Sequence, residues 1–289
     1  MEDVFYSPQF ECEWNQYHNI HHTYEVVEMV AFLILSTDLK RELTPFERSM
    51  ALVAALCHDF GHNGKSNSEW DNIPIRSQNR RIPSICSNMS SETLSSYGKT
   101  NTSTDSPPIK RNDTEEIVKC LTESLANSKS YNEVMHLDLS VWVVFKHKKT
   151  ILENRSNATI SSILSTLILA TDLQKHDDYL PKCVRENLSS LDKMVIVLKL
   201  ADISHVLRPF RVHAYWVYNL IRETNKLSHA RKSFEKCVPS VEYMANDTIN
   251  FAEKFVGDLL DKIMSFYPGF PPELLANYAK NLNTWRSYI

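Results

Sequence analysis

Apolar side chains return every three or four positions through most of the chain, the spacing that lines one face of an α-helix. Val26, Met29, Val30 and Leu33 form the first stripe. Phe46, Met50, Val53 and Cys57 form the second, which ends in His58 and Asp59. Later stripes run Ile160, Ile163, Leu167, then Leu191, Val195, Leu198, then Phe251, Phe255, Leu259, Ile263. Start signals accompany them. Thr44 can cap a helix, Pro45 suits its first turn and Glu47 completes a capping box. Asp113 with Glu116 marks another start before Ile117, Leu121 and Leu125, and Pro271-Pro272 opens a last helix through Leu275, Tyr278 and Leu282. No hairpin signal interrupts the pattern. The expectation is an all-α protein, a compact multi-helix bundle.

One stretch breaks the periodicity. Between Ser84 and Ser106 there are 8 Ser and 4 Thr in 23 positions, followed by Pro107-Pro108. Few apolar side chains are available there to offset the entropy of ordering. Residues 70–112 therefore read as a disordered insertion within one domain spanning 1–289.

Composition narrows the classes. Only 5 Gly occur in 289 residues, well below the usual ~7%, which disfavours Rossmann, P-loop and β-sandwich designs that spend Gly at turns and phosphate loops. The formal net charge of −3, without a long basic tract, argues against a nucleic-acid partner. No apolar run reaches the ~18 residues of a membrane span, and the start Met1-Glu2-Asp3-Val4-Phe5 lacks the basic and apolar regions of a signal peptide. The 6 cysteines are widely spaced without a CxxC pair, as expected of reduced thiols. A cytoplasmic location follows as an expectation.

The distribution of His and Asp carries the chemistry. His18 and His22 stand four apart, on one face if their segment is helical. His58-Asp59 ends an apolar helix, with His62 four residues on. Thr171-Asp172 ends another, and Asp202 interrupts the apolar run 195–203. Taken singly, the histidines read as satisfied core or surface groups and His58-Asp59 as a cap. Asp202 is harder to dismiss, because a carboxylate in an apolar helix must be paired, protonated or bound to a cation. Two His and two Asp from three helices are the donors a borderline divalent ion prefers, and shared carboxylates allow a two-ion site suited to phosphoester hydrolysis.

The motifs Tyr17-His18-Asn19-x-x-His22, His58-Asp59-x-x-His62-x-Gly64-x-x-Asn67, Leu169-Ala170-Thr171-Asp172-x-x-x-His176 and Ala201-Asp202-Ile203-Ser204 together resemble the signature of class I cyclic nucleotide phosphodiesterases. The resemblance covers roughly 14–69 and 114–289. It implies a helical domain of the histidine-aspartate metal-dependent phosphohydrolase type that cleaves cyclic AMP or cyclic GMP to the 5′-monophosphate. His22, His58, Asp59 and Asp202 match the ligands of a zinc ion. Asp59 would bridge to a second ion, Mg²⁺ or Mn²⁺, whose water ligands are held by His62 and Thr171, with Asn67 in the same turn. His18 matches the general acid, and Tyr17, His205, Trp216, Thr248 and Phe251 match the substrate pocket.

Departures from the family pattern accompany the resemblance. Gly61 replaces an Asp and Asn63 a Pro. The segment Tyr131–His136 matches its counterpart so faintly that the Glu and His ordering the second ion's waters are expected to be missing. His205 stands for an Asn, and Thr248 for the purine-reading Gln, so less than tenfold preference between the two cyclic nucleotides is expected. The family's earliest helices have no counterpart before Tyr17, and a regulatory module upstream and the oligomeric state are left open. Three other readings compete: a purely structural helical protein whose His and Asp are caps, a degenerate, non-catalytic nucleotide-binding or interaction module, and another histidine-aspartate phosphohydrolase. The His18 motif disfavours the last of these, and the intact ligand set the second. Surface loop length costs little, so deletion of residues 76–108 is expected to change unfolding free energy by no more than ~1 kcal/mol. Urea titration of the two forms checks this, and a large loss of folded protein would assign the stretch a place in the core.

Overall fold

The computed structural model describes residues 15–71, 129–152, 155–181, 188–229, 240–267 and 269–289. Within them every regular element is helical. The longer helices are α1 (Ile20–Ser36), α2 (Pro45–Cys57), α3 (Tyr131–Ile151), α4 (Asn157–Leu169), α5 (Ser190–Asp202), α6 (Phe210–His229), α7 (Val241–Phe251), α8 (Asp258–Phe266) and α9 (Pro272–Arg286). A π-helical turn, Ala252–Gly257, joins α7 to α8. Most of the predicted insertion, and the helix start at Asp113, fall outside the described residues. Positions 70 and 71 belong to a short helix, Asn67–Asp71, so the helical region runs slightly further than the sequence pattern suggested. Among the described residues, no helix is long and apolar enough to cross a membrane.

Helix α5 organises the core. Met194 through Ala201 are all buried, as a run without a polar face must be. It packs against α1, α2, α4 and α8. Its one interior cation, Lys199, is 3% exposed. The Lys199 Nζ donates to the Ala170 carbonyl at 2.7 Å and lies over the Tyr179 ring, tying α5 to the end of α4 that carries Thr171 and Asp172. Val26, Met29, Val30 and Leu33 of α1 and Met50, Ala51 and Ala54 of α2 fill the same core. A second, smaller cluster joins α6, α7 and α9 through Val217, Ile221, Ala245 and Trp285.

The helix ends are closed as the sequence signals require. Thr44 accepts from the Glu47 amide, and the Glu47 carboxylate accepts in return from the Thr44 amide at 2.7 Å. Asn19 caps α1 by accepting from the His21 and His22 amides. Ser189 and Asp192 form a further box at α5. Each closure aligns a helix whose other residues carry chemistry. Loss of the first box in Thr44→Ala is expected to lower unfolding free energy by about 1 kcal/mol, read as a fall in urea midpoint at unchanged m-value.

Candidate metal and nucleotide site

Three helix termini converge on one point. His22 comes from the first turn of α1, His58 and Asp59 follow the last turn of α2, and Asp202 ends α5. His22 Nε2 lies 3.2 Å from Asp202 Oδ1 and 3.6 Å from Asp59 Oδ2. His58 Nε2 is 3.2 Å from both of those oxygens. The donors of His22, His58 and Asp202 all lie within 4.8 Å of one another, and the two carboxylates, 180 residues from His22 at the furthest, face the same imidazoles.

The chemistry of this cluster fits a cation. His58 Nδ1 donates to the Ala55 carbonyl at 2.7 Å, which leaves Nε2 as the lone-pair nitrogen. That Nε2 and Asp59 Oδ2 are buried without a satisfactory hydrogen bond, a costly arrangement for apposed polar atoms that a shared divalent ion resolves. Without an ion the groups lean on each other. Burial alone would lower the His58 pKa, but Asp59 and Asp202 hold it well above its ordinary value. Burial would raise both carboxyls, and His58 draws them well down.

A second set of groups surrounds Asp59. His136 Nε2 stands 3.9 Å from Asp59 Oδ1, its Nδ1 donating to the Phe60 carbonyl at 2.7 Å. Asn67 donates to Glu133 at 2.8 Å and accepts from the Asn132 amide. Burial, with Asp172 nearby, pushes Glu133 up to about 7. Ser130 donates to Asp172. The Glu and His expected to be missing are therefore present at the site, a correction to the sequence reading. The faint match of 131–136 hid them because only their side-chain types, not their neighbours, follow the pattern. Thr171 is buried beside this set, but its hydroxyl donates to the Ile168 carbonyl at 2.8 Å. Gly61 and Gly64 both adopt φ 74°, the left-handed turn glycine takes without strain, and between them the chain brings His62 back over the cluster.

His18 is not on α1. It lies in the bend ahead of the helix, so the pairing of His18 with His22 comes from a turn and not from one helical face. Glu223 of α6 fixes that bend. Its carboxylate accepts from the Tyr17 amide at 2.7 Å, the His18 amide at 3.2 Å and His18 Nδ1 at 2.5 Å. The His18 ring stacks on His62 at 3.9 Å. Burial opposes charge on His18, but Glu223 outweighs it and raises the imidazole to about 9. Burial, with His18 beside it, drives His62 well below its ordinary value. Sequence reasoning missed Glu223. Its only local signal is an acidic residue two turns beyond Trp216 on the buried face of α6.

Tyr17 links this cluster to a second wall. Its ring touches His22 at 4.5 Å, Trp216 at 5.4 Å and His205 at 5.9 Å between centroids. Phe251 stacks on His205 at 6.0 Å. Thr248, buried, lies on α7 three residues before Phe251. His205 sits in the turn Ser204–Leu207, which Asn281 of α9 pins by donating to the Val206 and Arg208 carbonyls, each at 2.8 Å. Behind it, His205 Nδ1 meets His213 Nδ1 at 3.1 Å, and Trp285 Nε1 donates to His213 Nε2 at 2.8 Å.

The described helices bring paired His and Asp donors to one point, the architecture of an all-helical bundle of the histidine-aspartate type. The sequence model for 3′5′-cyclic nucleotide phosphodiesterases matches residues 17–70 and 117–276, and the chain belongs to that family. It is 23% identical over 94% of its length to the cGMP-specific 3′,5′-cGMP phosphodiesterase 3 of Dictyostelium discoideum, covering 52% of that protein. It is 21% identical, again over 94%, to the human high affinity cAMP-specific and IBMX-insensitive 3′,5′-cyclic phosphodiesterase 8A, covering 32% of it. The chain thus spans about half or less of the length of these relatives. Its fold matches the crystal structure of the phosphodiesterase domain of the RhoPDE fusion protein from the choanoflagellate Salpingoeca rosetta. The TM-score is 0.66 at 20% identity, covering 99% of this chain and 87% of that one.

Burial holds His213 down at about 4. The unfolded chain therefore takes up a proton between roughly pH 6.5 and 4 that the folded chain refuses, so stability from this group is complete above pH 6.5 and falls as pH drops. The loss is expected to reach up to about 3 kcal/mol. Urea midpoints of the native chain and His213→Gln between pH 7 and 4.5 check it: the variant is expected to show the shallower slope, and identical slopes would remove His213 from the account.

Proposed function

We propose that this chain hydrolyses a 3′,5′-cyclic nucleotide to the nucleoside 5′-monophosphate, using two divalent ions. The observation that carries the reading is the convergence of His22, His58, Asp59 and Asp202 with two buried orphan atoms, beside an imidazole charged by Glu223. Family membership supports it, and the relatives named above are cyclic nucleotide phosphodiesterases by description. His22, His58, Asp59 and Asp202 would hold a zinc ion. Asp59, with His62, Glu133, His136 and Asn67 around it, would serve a second ion, Mg²⁺ or Mn²⁺. When bound, such cations would supply Lewis acidity toward a water and the phosphoryl oxygens.

The chain's own groups do the rest. The 3′ alkoxide is a poor leaving group and needs a proton as it departs. His18 is suited to give it, because Glu223 keeps the ring protonated through neutral pH and accepts at Nδ1, leaving Nε2–H to donate. Stacking on His62 and the two backbone bonds to Glu223 hold the ring in one orientation. Tyr17 and Trp216 exclude water from one side, and Phe251 offers a face against which a base can lie.

Purified protein is expected to hydrolyse cyclic AMP or cyclic GMP, to lose that activity on chelation and to regain it on return of Zn²⁺ with Mg²⁺. Inactivity with full metal occupancy would favour the non-catalytic reading. Asp202→Ala is expected to abolish retention of the tight ion, measured by elemental analysis after gel filtration. His18→Ala should lower kcat by ~10²–10⁴ with metal content unchanged, and loss of metal in that variant would reassign His18 as a ligand.

A further inference from the structure

The buried chain His205, His213 and Trp285 has a fixed polarity. An indole nitrogen can only donate, so Trp285 Nε1 gives its hydrogen to His213 Nε2. His213 Nε2 is then the bare nitrogen of that ring, and its proton must sit on Nδ1. His213 Nδ1 faces His205 Nδ1 at 3.1 Å, so it donates and His205 Nδ1 accepts. The remaining proton of His205 therefore sits on Nε2. Burial keeps both rings neutral, His205 well below its ordinary pKa and His213 at about 4, so each carries one proton.

Among the described residues His205 Nε2 has no hydrogen-bond partner, although the residue is only 6% exposed. Its ring lies against Phe251 and Tyr17, and Tyr17 in turn touches the ligand His22. A buried N–H left bare beside the proposed substrate residues is costly unless another group answers it. Trp216 Nε1, a second obligate donor whose ring also touches Tyr17, is likewise buried and without a hydrogen-bond partner among the described residues. Of the pocket groups already described, the hydroxyls of Thr248 and Tyr17 can turn to either role and so fix neither.

We propose that His205 is a specificity-determining residue whose proton is held on Nε2 by Trp285 through His213, and that the pocket consequently prefers 6-oxopurine over 6-aminopurine cyclic nucleotides. The proposal rests on the catalytic reading above. Guanine and hypoxanthine present O6 and N7 as adjacent acceptors, which fixed donors satisfy. Adenine presents N7 beside a 6-amino donor, and that amino group meets donors with no fixed acceptor to receive it. The relay thus supplies a base reader that Thr248 alone does not, in place of the weak preference expected from the sequence.

The test compares kcat/KM for cyclic GMP, cyclic IMP and cyclic AMP on the metal-loaded protein. Cyclic GMP and cyclic IMP are expected to exceed cyclic AMP by about tenfold or more, and cyclic IMP separates reading of O6 from reading of the 2-amino group. Trp285→Phe frees His213 to take either tautomer, so the ratio should fall to within about threefold of unity, with the change in KM rather than kcat. In the unaltered protein, the ¹⁵N shifts of His205 should report Nε2–H, a readout independent of whether the variant folds. Equal ratios, a cyclic AMP preference, or His205 protonated on Nδ1 would overturn the proposal while leaving hydrolysis intact. Turnover of none of the three would instead sink the catalytic reading. The Kd values of GMP, IMP and AMP then decide the base preference, GMP and IMP tighter supporting it and AMP equal or tighter overturning it.

Discussion

The apposition of two partly buried carboxylates with imidazoles, where three helices end, is the constraint on which the molecule depends. Asp202 follows eight consecutive buried residues of α5, so its charge is delivered into the interior by a helix with no polar face. An unpaired carboxylate there would cost several kcal/mol, and His22 and His58 compensate it from α1 and α2. The packing of α1 and α2 on α5 is thus coupled to the donor set. Helix termini, and the short turn that follows α2, hold these donors more firmly than long loops would, which is what a preorganised metal site requires.

Polar connections spread outward from that point along two routes. One runs through Glu223, which clamps the turn carrying Tyr17 and His18 onto α6. The other runs from α9 through Trp285 and His213 to His205. Tyr17 touches residues on both routes. The proposed acid and the proposed base reader are in this way oriented by groups that never touch the substrate, each acting through one imidazole nitrogen to set the other.

Legibility in the sequence followed the range of the interactions. The capping box at Thr44 and Glu47 involves residues three apart, and it formed as the pattern indicated. The stripes of α1, α2, α4 and α5 repeat at helical period and fill the core together. His22, His58, Asp59 and Asp202 stood out because charge and imidazole at the ends of apolar runs need a reason. His18 was recognisable as a candidate, but its backbone was left open, since spacing by four fits a helix and a bend equally well.

The sequence by itself determined the helical class, because helix period is a property of neighbouring residues. It singled out His22, His58, Asp59 and Asp202 as candidates, because charge and imidazole at the ends of apolar runs need a reason. Only the tertiary structure decided which buried polar groups support them. Glu133 and His136 reach Asn67 and Asp59 across 66 and 76–77 positions, and Glu223 reaches His18 across 205. Trp285 governs His205 through a third ring. Such partners carry no periodic or spacing signature, since what selects them is the hydrogen-bonding demand of an atom that becomes buried only when distant helices pack.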